Sequence, residues 1–328
     1  MKKLWLISFI CMLLLLASCR DYNELNMQDL VSHAGVDFLD GEVSVCIVCD
    51  GGKEETPKIV ESVGKSFFEA VREVSGRSDK KLYWGHMQTV VFGEDALKDS
   101  FSGALDAILR ARDVYPDVIP VAVRGDTAAN ALQAVNAEDA SNIFEAFANA
   151  ENSRRFEGVP LWKFMRSREL FGVCVIPTTV KRGDEYIMSG GAVISEKGFL
   201  GYLSEEENLL RSLLTDKSAG GYLPVVEVGE GRSLSFEVLA NDIDIKREGA
   251  DFLIQEKITL SPAEVRGDFE EGEMRDVARE YLVRAYRDFI VHSKKNGFGN
   301  ILNIYGAKED SDVTVSVDVK ISGVTGGA

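Results

Sequence analysis

Histidine, cysteine and positive charge are all scarce in this chain, and each shortage removes a class of function. The three histidines, His33, His86 and His292, stand singly along the 328 residues, with no second histidine nearby to start a metal site. Lysine and arginine number 37 against 53 aspartates and glutamates, a formal charge of −16. So acidic a surface argues against nucleic-acid binding and offers no electrostatic help toward anionic lipid heads. Five cysteines, with an odd and sparse set beyond residue 19, form no disulfide framework. Cys46 and Cys49 have redox or metal spacing, but they lie in Val43-Ser44-Val45-Cys46-Ile47-Val48-Cys49, which reads as a strand. Residues three apart on a strand point to opposite faces, so both are expected in core packing. No second long apolar run follows the first eighteen residues, and neither an internal repeat nor a long low-complexity linker divides the chain.

What the chain does have is a leader. Lys2 and Lys3 precede an apolar run over 4–17, the charged start and greasy middle of a secretory signal. Leu16-Ala17-Ser18-Cys19 ends it: an aliphatic residue, two small ones and a cysteine, the lipobox order. The run is short of the roughly 20 residues that cross a bilayer. The expectation is therefore cleavage between Ser18 and Cys19 with lipid on the Cys19 thiol, leaving a protein anchored to the membrane without spanning it. One acyl chain holds a protein only marginally, whereas two or more hold it firmly, at about 0.8 kcal/mol per buried methylene. Losing both leader lysines makes the mature chain two charges more negative than −16, so the lipid must supply the membrane affinity.

Patterning beyond Cys19 predicts an α+β protein of more than one domain, with mixed and antiparallel sheets and packed helices. A hairpin is expected over 31–38 and 42–49, then a helix over 56–74 on the spacing of Ile59, Val63, Phe67, Ala70 and Val74. Strands follow at 82–84 and 87–92, a helix at 94–112, and a strand at 118–123 that Pro120 should confine to an edge or a bulge. Two Ala-rich helices are expected at 127–135 and 140–150, a loop at 151–158, and a short helix headed by Pro160. A second hairpin over 173–177 and 186–194 leads to a strand at 199–203 and a helix to 214, whose Ser204 and Glu207 fit a capping box. Strands over 222–228, 233–244 and 250–260 suggest a meander, packed by a long helix at 270–295 and closed by a strand at 313–321 with its valines on one side. The organisation expected is a leader at 1–18, an N-terminal α+β domain at 19–190 and a C-terminal α+β region at 191–328.

Little here reads as chemistry. Gly64-Lys65-Ser66 ends like a phosphate-binding loop, but the earlier glycine such a loop requires would fall at Ile59, and the triplet lies inside the expected 56–74 helix. Acidic pairs such as Glu205-Glu206 and Glu270-Glu271 start helices, where the helix dipole accounts for them. No serine sits in a glycine-flanked elbow. No catalytic residue, metal ligand or cofactor site is assigned.

Several segments, taken in order, resemble the Ger(x)C spore-germination lipoproteins, the C subunits of nutrient germinant receptors. They are Cys19-Arg20-Asp21-Tyr22-Asn23-Glu24-Leu25, the run from Ser66 to Ser75, Lys80-Lys81-Leu82-Tyr83-Trp84-Gly85-His86-Met87, Pro160-Leu161-Trp162-Lys163-Phe164, Gly191-Ala192-Val193-Ile194, Gly201-Tyr202-Leu203-Ser204-Glu205-Glu206-Glu207 and Val317-Asp318-Val319-Lys320-Ile321. Arg20 stands where that family usually has an aromatic, and 298–312 is shorter than the family's segment there. The resemblance implies a non-enzymatic accessory or scaffold subunit, partnered by a polytopic A subunit and a transporter-like B subunit. It would sit on the outer face of the inner spore membrane. A solute-binding lipoprotein of an uptake transporter is the alternative, though it would show regular strand-helix alternation in two lobes; a cell-envelope hydrolase would show a nucleophile or paired carboxylates in a turn.

Overall fold

A computed structural model describes residues 28–50, 57–138, 156–217, 220–229, 231–308 and 311–323. The described residues form thirteen strands and seven helices in two mixed sheets, an α+β architecture as the patterning predicts. The first sheet holds β1 (Gln28–Leu39), β2 (Glu42–Cys49), β3 (Lys58–Gly64), β4 (Lys81–Tyr83), β5 (Thr89–Phe92), β6 (Ile119–Arg124), β7 (Val173–Arg182), β8 (Glu185–Ser195) and β9 (Gly198–Leu203). Its order is β3-β2-β1-β5-β6-β7-β8-β9, with β4 paired to β1. The centre, β1-β5-β6-β7, is parallel, and antiparallel hairpins flank it. β8 runs through the division expected at 190/191, and the sheet ends with β9 at Leu203.

Helices cover both faces. On one lie α1 (Phe67–Arg77), α2 (Glu94–Asp99), α3 (Phe101–Arg110) and α5 (Leu161–Phe171), whose Phe67, Leu97, Phe101, Leu105 and Phe164 join a single core with Val36, Ile47 and Phe92. On the other, α4 (Ala128–Glu138) sets Ala128, Ala131 and Leu132 against Cys46, Val91 and Val121. Farther along that face α6 (Glu205–Thr215) inserts Leu209, Leu210, Leu213 and Leu214 between Val173, Val175 and Val193 of the first sheet and the second sheet's core. One helix thus belongs to both sheets, and this joins the two halves.

The second sheet is β10 (Tyr222–Gly229), β11 (Arg232–Glu248), β12 (Asp251–Arg266) and β13 (Val313–Ile321) in that order. α7 (Glu271–Lys295) carries the chain from β12 to β13, which pairs parallel to β12. Met274, Ala278, Leu282, Tyr286 and Phe289 recur at three- and four-residue steps and are all buried against the sheet. Each large side chain among them contributes roughly 1.5–3 kcal/mol of burial. On β13, Val317, Val319 and Ile321 are buried while Thr314, Ser316, Asp318 and Lys320 are exposed, the alternation expected of that strand.

Three expectations are corrected. The helix predicted from residue 56 begins only at Phe67, because 58–64 pairs along its whole length with β2 and buries Ser62 and Gly64 in place of an apolar helical stripe. Val63, counted on that stripe, is 51% exposed. The helix predicted over 94–112 is two, broken at Ser100 with φ −123° and ψ −5°. Pro120 sits in an interior strand. Ile119 donates its N–H to Gln88 on the β5 side, so the next nitrogen faces β7, whose pairing starts only at Ala122. The missing donor therefore costs no ladder bond. The helix expected at 140–150 lies outside the described residues.

Candidate functional site: a cation-rimmed cleft

A cleft of about 830 Å³ lies between α1, α3 and the segment that carries β4. Its floor is apolar: Phe67 and Val71 from α1, Leu82 and Trp84 from β4 and the turn after it, Ile108 and Val114 from α3 and its exit. Ser66 fixes the first wall by capping α1, its hydroxyl accepting from Glu69 N at 3.2 Å, while the Glu69 carboxylate takes Lys65 N at 2.8 Å. The phosphate-loop reading of Gly64-Lys65-Ser66 fails at this point, since Glu69 occupies the amide a phosphate would need. A Cβ on Gly64 would lie 2.6 Å from Ala70 N, so this glycine serves the strand-helix contact.

Cations ring the mouth. Arg72 lies 5.0 Å over the Phe68 ring, and Arg110 is bonded to Asp106 at 2.8 Å. The side chains of Lys80, Lys81 and Arg112 are exposed and have no hydrogen-bond or ion-pair partner among the described residues. β1 enters the fold here: Gln28 pairs with Lys81 and Leu30 with Tyr83, so the chain coming from Cys19 arrives beside the mouth. Sequence reasoning missed this site because its cations lie 30 residues apart on two helices' exits; their crowding in so acidic a chain exists only in the fold.

A second recess, of about 410 Å³, collects Asp37, Glu94, Asp95 and Asp126. Its carboxylates are already committed. Asp37 accepts from Ala128 N at 2.7 Å and Ala129 N at 3.0 Å, and burial drives its pKa up against those bonds. Burial also pushes Glu94 and Asp126 up, but is outweighed: bonds from Lys98 and Gly125 N hold Glu94 low, and bonds from Tyr186, Asn130 and Thr127 N hold Asp126 low. Among the described residues no group of three or more His, Cys, Asp or Glu is placed to hold a metal ion.

The histidines are not brought together. Buried His33 meets Thr89 Oγ1 at 2.7 Å, exposed His86 lies 3.8 Å from Asp50, and His292 bonds Glu207 at the end of α7. Cys46 and Cys49 belong to the cores on opposite faces of the first sheet. Burial raises the Cys46 thiol to about 12 and the Cys49 and Cys174 thiols to about 11, so none is a ready thiolate. Ser18 and Cys19 lie outside the described residues.

Residues 21–180 match the family model described as the spore germination protein N-terminal domain. The chain belongs to the Ger(x)C spore germination family. The match ends inside β7 and holds the whole cleft, so the cleft is a feature of this chain's germination-protein domain. The crystal structure of the GerBC protein superposes with a TM-score of 0.58 at 13% identity, covering 88% of this chain and 97% of that one. The two therefore share a fold that extends beyond the matched domain into the C-terminal sheet. No curated protein matches the chain.

Proposed function

We propose that this Ger(x)C protein is the C subunit of a nutrient germinant receptor, held by lipid on Cys19 to the outer face of the inner spore membrane. There it serves the polytopic A and transporter-like B subunits as an accessory scaffold. The observation that carries the reading is the order of features along the chain: a lipobox ending at Cys19, then the germination-protein domain from residue 21. No described helix is long and apolar enough to cross a membrane, so in this reading attachment falls to the lipid.

The role is non-enzymatic. Supporting this, the ionisable groups that draw attention are spent on architecture: Asp37 on the first turn of α4, Asp126 on Tyr186 at 2.5 Å, and His292 on Glu207. The test is Cys19→Ala in spores whose only nutrient receptor contains this chain. The variant should leave the membrane fraction or remain unprocessed, and the germination response should fall. Full germination with the protein unlipidated would overturn the tethered-scaffold reading.

A further inference from the structure

We propose that the cleft between α1 and α3 is a seat for an anionic phospholipid of the membrane, an acyl chain lying on its apolar floor and the phosphate on Lys80, Lys81 and Arg112. The floor and rim call for one kind of ligand. Val71, Leu82, Ile108 and Val114 offer no hydrogen bonds with which to read a sugar or a base, so the buried part of the ligand is hydrocarbon. The rim carries five cations, Arg72, Lys80, Lys81, Arg110 and Arg112, against Asp79, Asp106 and Asp113, a positive local balance on a chain of −16. Arg110 is engaged by Asp106, whereas Lys80, Lys81 and Arg112 are uncommitted among the described residues and available to a phosphate.

Position favours a membrane lipid over a free anion or an acidic peptide. Gln28 pairs with Lys81, and only eight residues separate it from Cys19, a reach of about 30 Å at full extension. This part of the argument rests on the lipid-anchor reading: an acylated Cys19 would bring the bilayer to the end of the fold where the cleft opens. The rest of the surface, being acidic, is repelled by anionic headgroups, so the cationic rim would turn this end toward them. The anchor would supply attachment and the cleft orientation.

The test separates the two. The mature chain, residues 19–328, holds every described element; with Cys19→Ser it has no acyl group, and with Trp162→Phe it keeps Trp84, on the cleft floor, as its sole tryptophan. Vesicles of phosphatidylglycerol with brominated acyl chains should quench Trp84 emission several-fold more than matched phosphatidylcholine vesicles. Lys80→Glu/Lys81→Glu/Arg112→Glu should abolish the difference with the circular dichroism unchanged; should that variant misfold, Lys80→Gln/Lys81→Gln reads the same loss. No quenching by phosphatidylglycerol, or equal quenching in a folded charge variant, would overturn the proposal. Because the assayed chain carries no lipid, its result does not depend on Cys19, and acyl labelling of the wild-type protein tests the anchor on its own.

Discussion

The phenol of Tyr286 donates to Glu256 Oε1 at 2.8 Å inside the C-terminal core, joining the middle of α7 to β12. Glu256 is 1% exposed, and its Oε2 has no hydrogen-bond partner among the described residues. Burial drives its pKa up to about 7, and the Tyr286 bond opposes the rise only in part. A carboxyl that is neutral in the fold but ionised in the unfolded chain makes stability depend on pH.

The sign follows from proton counts. Between about pH 4.5 and 7 the folded state holds a proton at Glu256 that the unfolded state has lost, so this group's stabilisation is full below about 4.5 and disappears as pH rises through 7. The contribution is on the order of 3 kcal/mol across that window. Glu256→Gln should flatten this part of the pH profile in urea melts and raise stability at pH 8 relative to wild type. An unchanged slope between pH 5 and 7 would place the titration elsewhere.

The start of α6 makes a second prediction. Ser204 Oγ accepts from Glu207 N at 3.2 Å and Glu207 Oε2 accepts from Ser204 N at 2.8 Å, while Glu207 also meets His292 and Glu206 takes the Tyr281 hydroxyl at 2.7 Å. The cap therefore also holds α6 to α7. Ser204→Ala should cost about 1 kcal/mol in chemical denaturation, and Glu207→Ala more, since it removes the reciprocal bond and the α7 contact together. Equal costs would mean that the contact with His292 adds nothing.

The legible parts of this fold were those where one local signal had one outcome. Ser204 with Glu207 caps the helix it heads, and the valine alternation of β13 and the stripe of α7 bury residues their period selects. The β3 segment was illegible because Ile59, Val63 and Phe67 fit a helical period while the strand buries small residues, Ser62 and Gly64, whose burial no hydropathy pattern announces. Pro120 misled for a related reason: its cost depends on whether a neighbour has begun to pair, a property of β7 and not of β6. The cleft was hidden most completely. Lys80 and Lys81 look like ordinary solvated charge until α3 brings Arg110 and Arg112 across from them.

The thiols give a direct check on the core assignment. With pKa values near 12, 11 and 11 and buried sulfurs, Cys46, Cys49 and Cys174 should resist iodoacetamide at pH 8 in the folded protein and all alkylate in denaturant. A disulfide between Cys46 and Cys49 should not form on mild oxidation, because the two side chains occupy cores on opposite sides of the sheet. Rapid alkylation of one thiol in the native state, seen by mass spectrometry, would show that its core opens locally.

The Asp37 contact with α4 also constrains its neighbour Gly93. A Cβ at residue 93 would lie 2.0 Å from Asp37 Oδ1, the atom that holds Ala128 N. Gly93→Ala must therefore displace the carboxylate and strip a helix N-terminus of its acceptor, a cost of about 1–3 kcal/mol from the lost bonds with strain in addition. Asp37→Ala removes the same bonds without the clash. In that background the 2.0 Å clash is gone and the closest remaining atom is Ala128 N, 3.1 Å from the added methyl, so the cost of Gly93→Ala should shrink. The double-mutant cycle should thus give a coupling of at least about 1 kcal/mol, and additive costs would mean that the methyl is accommodated by moving the backbone and not Asp37.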